Sequence, residues 1–217
     1  MTTALEALWR VSRRLGRGAR QRKSLPPMLF FTDPRRTPDP EQSLAALPRG
    51  SGIVFRAFGA PDALILGRRL ARLARRRGVA FLVGADVALA VALRADGIHL
   101  PERALSRPGF NRQLLRRFML TAAAHDLPAV RRARLSGVDA IVISPIFPSA
   151  SPSAGKPLGL MKFAELTRTA GVPVYGLGGV NAVSARRLLL SGAKGIAAVE
   201  ALSILRDGQP ANVDADC

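Results

Sequence analysis

Short apolar runs alternate along this chain with longer stretches in which leucine and alanine recur every three or four positions among arginines. The runs are residues 28–33 (MLFFTD), 52–58 (GIVFRAF), 80–86 (AFLVGAD), 97–101 (GIHLP), 118–124 (FMLTAAA), 140–147 (AIVISPIF), 173–179 (PVYGLGG) and 195–202 (GIAAVEAL). Most are continuously apolar, the pattern of parallel strands covered on both faces. The intervening stretches have helical period. Residues 61–77 place Leu66, Leu70, Leu73 and Ala74 on one face, with Arg68, Arg69, Arg72, Arg75 and Arg76 largely off it. Gly78 then offers a left-handed stop. Residues 87–94, 111–117, 128–135, 160–170 and 181–190 follow the same logic, with Asn181 as an N-cap and Gly171 and Gly192 as stops. Strand and helix alternating eight times predict a compact α/β fold, a (β/α)8 TIM barrel over residues 25–207. A doubly wound open sheet is the structural alternative.

Residues 1–24 break this rhythm, and 208–217 form a tail. The opening 24 residues hold seven basic side chains and one acid, Glu6. Leu5, Leu8, Trp9, Ser12 and Leu15 share one helical stripe, with Arg10, Arg13, Arg14 and Arg17 around it. The stripe predicts a basic amphipathic arm that packs on the domain or on a second subunit, followed by a basic tether. Its other readings are an organelle leader or a helix lying on an anionic membrane or nucleic acid.

Composition narrows the picture. At 217 residues and 48% hydrophobic, the chain suits one domain with a substantial core, so wholesale disorder is excluded. It has no apolar run long enough to span a membrane as a helix. Cys217 is the single cysteine, so neither an internal disulfide nor a cysteine-rich zinc site is available. The expected compartment is the cytoplasm. The formal charge of +18 invites anionic partners. Only four of the 33 basic residues are lysine, however, and aromatics are 5%, so the arginine ladders read as solvated outer faces rather than a nucleic-acid code.

In a barrel the chemistry lies at the C-terminal strand ends. These carry Asp33, Arg56, Phe58, Gly84, Asp86, His99, His125, Ser144–Ser151, Gly176–Gly179 and Glu200. The GLGGVN turn (176–181) stands between a strand and a helix. Its glycines Gly176, Gly178 and Gly179 let backbone amides approach an anion. The loop over 144–159 adds serines, among them Ser149 and Ser151, and the cation Lys156. His99 sits inside an apolar run and reads as structural, whereas His125 at the top of the fifth strand suits proton transfer. Two histidines this far apart give no metal spacing.

On MLFFTDP, ADGIHLPE (95–102), AAAHD (122–126), GVDAIVISPIFPSAS (137–151), VPVYGLGGV (172–180) and SGAKGIAAVEAL (191–202), the chain resembles the thiamine-phosphate synthase/TenI family over about residues 27–205. That resemblance implies a phosphate-binding barrel of thiamine biosynthesis. Synthases of the family join a pyrimidine pyrophosphate to thiazole phosphate with Mg2+, whereas TenI-like members isomerise thiazole phosphate or lack a clear activity. Several synthase features are absent. The family's Gln-x-Arg-x-Lys falls on Val54, Arg56 and Phe58, and its Asn-Asp pair on Gly84 and Ala85, beside Asp86. The second metal aspartate falls on Ala104, the serine of Ser-Ala-His on Ala123, and Thr-x-Thr-Lys on residues 149–152. Glu200 stands where a small polar residue is expected, with Arg56 or Lys156 to neutralise it.

The leading expectation is therefore a TenI-like barrel that tautomerises thiazole phosphate. Arg56, Ser149, Ser151, Lys156 and the glycines hold the ligand, His125 is general base and then acid, and no cofactor is needed. A thiamine-phosphate synthase with Mg2+ held through Asp86 is the second expectation. A non-catalytic binding or regulatory protein on an eroded barrel is the third. The partners expected are a phosphorylated thiazole and a second copy of the chain, with nucleic acid or membrane through residues 1–24 a lesser expectation.

Overall fold

The computed structural model describes residues 3–17, 25–106, 111–149 and 155–204. Each apolar run forms a strand: β1 (Met28–Phe31), β2 (Gly52–Phe55), β3 (Ala80–Gly84), β4 (Gly97–Leu100), β5 (Met119–Ala124), β6 (Ala140–Ile143), β7 (Val174–Gly176) and β8 (Gly195–Ala198). All neighbours are parallel and follow chain order. β8 returns to β1, with Met28 opposite Ile196 and Phe30 opposite Ala198, so the sheet closes. Closure excludes the open-sheet alternative. Most strands stop before the apolar run does, because the last residues of each run turn over the barrel mouth.

Helices α2 (Pro40–Ala46), α3 (Ala63–Arg77), α4 (Val87–Ala92), α5 (Leu127–Leu135) and α6 (Gly159–Ala170) follow β1, β2, β3, β5 and β6. Gly78 and Gly171 end α3 and α6 in the left-handed conformation, as their positions predict. Two expected α-helices are instead 3-10 turns, Arg112–Leu115 and Ser184–Leu190. Both segments are short, and an α-helix of one or two turns nucleates poorly. The second is also tied at its start: Asn181 Oδ1 accepts the amides of Val183 and Ser184, each at 2.9 Å, and Ser184 Oγ donates to Gly179 O at 2.8 Å.

The arm begins with α1 (Ala4–Gly16), opened by a capping box in which Thr3 and Glu6 exchange backbone and side-chain bonds. Leu8, Val11 and Leu15 are buried on it. It packs against β1, β8 and the turns Ser184–Leu190 and Glu200–Leu202. The helix thus covers the β8–β1 seam, the place in the outer ring where a helix after β8 would lie. Its apolar stripe is spent on the barrel, and Arg10, Arg13, Arg14 and Arg17 are what it leaves to solvent. The tether at 18–24 and the tail at 208–217 lie outside the described residues. Among the described residues no helix is long and apolar enough to cross a membrane.

Alternate strand residues divide the core in two. Leu29, Phe31, Val54, Leu82, Val142 and Tyr175 fill the barrel, and the others face the helices. Tyr175 closes the floor. Burial raises the pKa of its hydroxyl, which donates to Pro26 O at 2.6 Å. The ring lies directly against Gly195, where an added Cβ would also meet Pro27 O at 2.7 Å. Gly195→Ala is therefore expected to lower stability by about 1–3 kcal/mol, the usual cost of overpacking. Urea unfolding checks this, and an unchanged midpoint would contradict the packed floor.

Candidate functional site

The strand ends open into one cleft of about 1870 Å³. Its β1–β2 wall is organised by Asp33. The residues after β1 turn back sharply: Asp33 Oδ1 accepts the amides of Arg35 (3.1 Å) and Arg36 (3.2 Å), and Thr37 Oγ1 donates to Asp33 O at 2.7 Å. This returns the Arg36 guanidinium onto Asp33 Oδ2 at 3.1 Å. Arg56, just past β2, reaches the same oxygen at 3.4 Å and donates through Nε to Thr32 O at 2.7 Å. Burial alone would raise the Asp33 pKa, but the Arg36 hydrogen bond, the backbone amides and the Arg36 charge together bring it below its ordinary value. Arg56 is brought down to about 10, chiefly by desolvation, and stays cationic at neutral pH. Its guanidinium lies 5.5 Å from the Phe31 ring centre and 5.2 Å from that of Phe58.

The opposite wall comes from β5, β6 and β7. His125 follows β5 and lines the cleft. Its Nδ1 lies 2.7 Å from Ser144 O. A carbonyl only accepts, so Nδ1 carries the proton in the neutral ring and Nε2 keeps its lone pair. The loop after β6 is laced to the β7 turn: Ile146 N donates to Leu177 O at 3.0 Å and Phe147 N to Gly178 O at 3.1 Å. Gly178 (φ +94°) and Gly179 (φ +62°) need their backbone freedom, and a Cβ on Gly179 would strike Pro148 O. Their amides meet no acceptor among the described residues and border the cleft. They form a cradle of amide donors two strands from His125.

Other expected residues are placed differently. Gly176 is not part of the cradle: it lies within β7, where a Cβ would strike Ile146. Ser149 lines the cleft, whereas Lys156 is exposed and outside its lining. Ser151 lies outside the described residues. Asp86 reaches the cleft edge, but its Oδ1 accepts Leu89 N at 2.8 Å as the cap of α4. Glu200 is neutralised by neither Arg56 nor Lys156. Its partner is Arg36, at 3.7 Å, and the carboxylate does not plug the mouth. Arg36 was not a sequence candidate, although the spacing Asp33-x-x-Arg36 just past a strand is the signal that finds it. Arg35, Arg36, Arg56 and Arg103 face two lining carboxylates, Asp86 and Glu200, so the cleft is cationic.

His99, on β4, lies at the cleft floor. Its Nδ1 is 2.9 Å from Thr121 Oγ1, and the ring meets Phe31 edge-on at 4.9 Å. Burial, with a smaller contribution from the Arg56 charge, lowers its pKa from 6.5 to about 3, so it is neutral in the folded chain. Between these values the unfolded chain takes up a proton that the folded chain refuses. Stability is therefore full above pH 6.5 and falls as pH drops toward 3. Unfolding at pH 7 and pH 5 is expected to differ by about 1–2 kcal/mol from this residue, and His99→Gln should flatten the difference. An equal slope in the variant would contradict the assignment.

A sequence profile described as thiamine monophosphate synthase matches residues 29–202. The chain is 33% identical over 144 residues to the thiamine-phosphate synthase of Roseiflexus sp., covering 66% of this chain and 61% of that protein. It is 31% identical over 134 residues to the putative thiamine-phosphate synthase 2 of Aquifex aeolicus, covering 62% and 72%. Its fold matches the thiamine phosphate pyrophosphorylase of Pyrococcus furiosus with a TM-score of 0.66 at 25% identity, covering 79% of this chain and 84% of that one. The closed barrel, the cleft at its strand ends and these likenesses agree: the chain belongs to the thiamine monophosphate synthase/TenI family.

Proposed function

We propose that the chain is a TenI-like barrel that binds thiazole phosphate and tautomerises its ring. The observation that carries this reading is the bond from His125 Nδ1–H to Ser144 O at 2.7 Å. It fixes the tautomer and leaves Nε2 as the base at the cleft, on the same wall as the Gly178–Gly179 cradle. The phosphate accepts hydrogen bonds from the two glycine amides, with Ser149 at the same wall. Arg36 offsets the Glu200 charge that would otherwise oppose an anion there. Nε2 takes a proton from a ring carbon, the conjugated electrons shift, and the imidazolium returns the proton elsewhere on the same system. Proton count and oxidation state are unchanged.

Mg2+ does not fit the residues present. The two family aspartates fall on Ala85 and Ala104, and Asp86 has one carboxylate oxygen engaged in capping α4. Among the described residues no three His, Cys, Asp or Glu side chains gather to hold a metal. The synthase reading keeps one support, that the relatives above carry that name. Mg2+-dependent formation of thiamine phosphate, lost in Asp86→Asn, would favour it over tautomerisation, since asparagine preserves the cap.

His125→Asn is expected to cut tautomerisation by about 10²–10⁴-fold. Thiazole phosphate binding, measured by calorimetry, should stay within a few-fold. Absence of saturable binding to the unsubstituted chain would contradict the reading.

A further inference from the structure

We infer that the end of the barrel opposite the cleft carries a surface for duplex nucleic acid, whose phosphates are held by the carboxyl ends of α1 and α3. Arginine is abundant along the whole chain, so its abundance alone assigns nothing. What the fold adds is the placement of the acids. The carboxylates of residues 3–79 all stand toward the cleft end: Glu6 in the first turn of α1, Asp33 just past β1, Asp39 and Glu41 at the start of α2, and Asp62 just before α3. The last turns, at the other end, hold cations only. Arg13 and Arg14 close α1, and Arg75, Arg76 and Arg77 close α3, all of them exposed.

These two groups share one surface. α1 ends with Gly16 against Pro27, the residue before β1, and so reaches the strand starts. Arg49 and Gly50 bridge from there to α3. Gly50 N donates to Gly78 O at 2.9 Å, the exposed Arg49 side chain lies against Gly78, and Gly50 lies beside the Trp9 ring of α1. Among the described residues no carboxylate pairs with any of these six arginines; Glu41 binds Arg69 instead, at 3.2 Å. On the far side of the barrel the cations are answered, Arg112 by Asp139 and Arg132 by Glu102. Like charges four apart, as in Arg10–Arg14 and Arg72–Arg76, also repel within each helix, a cost that stability alone does not explain.

A guanidinium fork matches the oxygens of a phosphate two at a time. A phosphodiester backbone is the anion that meets several such forks at once across two helices and a turn. Two features select the double helix. Trp9 is partly buried against Gly50, and the exposed Phe58 lies in the cleft, so unstacked bases find no platform here among the described residues. No large apolar side chain is exposed on α1 or in the last two turns of α3, so a lipid surface finds nothing to insert. The surface offers charge and no reader of base edges, so DNA and RNA duplexes share the chemistry it recognises. It lies at the far end from the cleft and depends on no reading of the reaction there.

The test is fluorescence anisotropy of a labelled mixed-sequence duplex of about 20 base pairs, as DNA and as RNA, titrated with the intact chain. Saturable binding is expected, weakening roughly 10²–10³-fold between about 50 and 200 mM salt, the dependence of about four to six phosphate contacts. The double variant Arg13→Gln/Arg14→Gln and the triple variant Arg75→Gln/Arg76→Gln/Arg77→Gln should each weaken binding about tenfold or more and lower the salt slope by about one per arginine removed. Glutamine keeps the helical propensity, and circular dichroism checks that each variant is folded. The control Arg131→Gln/Arg134→Gln/Arg168→Gln takes the same charge as the triple variant from exposed positions on α5 and α6, and should leave affinity and slope unchanged. An equal loss in that control would show that net charge alone binds, and would overturn the surface. Unchanged binding in both helix variants, a tighter hold on the single strand than on the duplex, or displacement of the duplex by saturating thiazole phosphate would also overturn it. So would binding to phosphatidylserine vesicles that the duplex does not displace. Equal affinities for the DNA and RNA duplexes support a hold on phosphate alone, and a preference for one of them supports the surface and names its source.

Discussion

The pairing of β8 with β1 is the constraint on which the rest depends. Once Met28 stands opposite Ile196, no sheet edge remains, and all eight strands present their C-terminal ends to the same side. Residues far apart in sequence, from Arg36 to Glu200, then share one mouth. The seam is covered from outside by α1, which precedes β1 and lies at the other end of the chain from β8. The floor is closed by Tyr175 against Gly195 and Pro26. The floor is packed, and the cleft opens at the opposite, C-terminal end of the strands.

Within that mouth, charge is distributed unevenly. Asp33 holds two arginines at once, and Arg36 in turn reaches Glu200. The β1–β2 wall is thus a network of cations around a half-buried carboxylate. The β5–β7 wall offers backbone amides, a serine and an imidazole instead. Hydrogen-bond donors line one side of the cleft and an arginine field the other.

The fold was largely legible in the chain because parallel strands buried on both faces leave continuous apolar runs, and each of the eight became a strand. The partner of the amphipathic arm was less so. Leu8, Val11 and Leu15 make the same stripe whether it meets a membrane, a second subunit or the barrel, and only the tertiary contacts decide. The glycine turn shows a finer limit. Gly176, Gly178 and Gly179 look alike as residues, yet two have positive φ at the mouth and one is a packing position under Ile146. Backbone dihedrals separate them, and composition does not. Glu200 and Arg36 are 164 positions apart, a separation at which no local pattern announces a pair.

We propose above that phosphate sits on the Gly178–Gly179 amides with the ring within reach of His125. A crystal structure of the chain soaked with thiazole phosphate tests it most directly. Phosphate oxygens are expected on those two amides, and a ring carbon close to His125 Nε2, within roughly 3–3.5 Å. Phosphate bound instead at Arg36 and Arg56, with the ring away from His125, would contradict it.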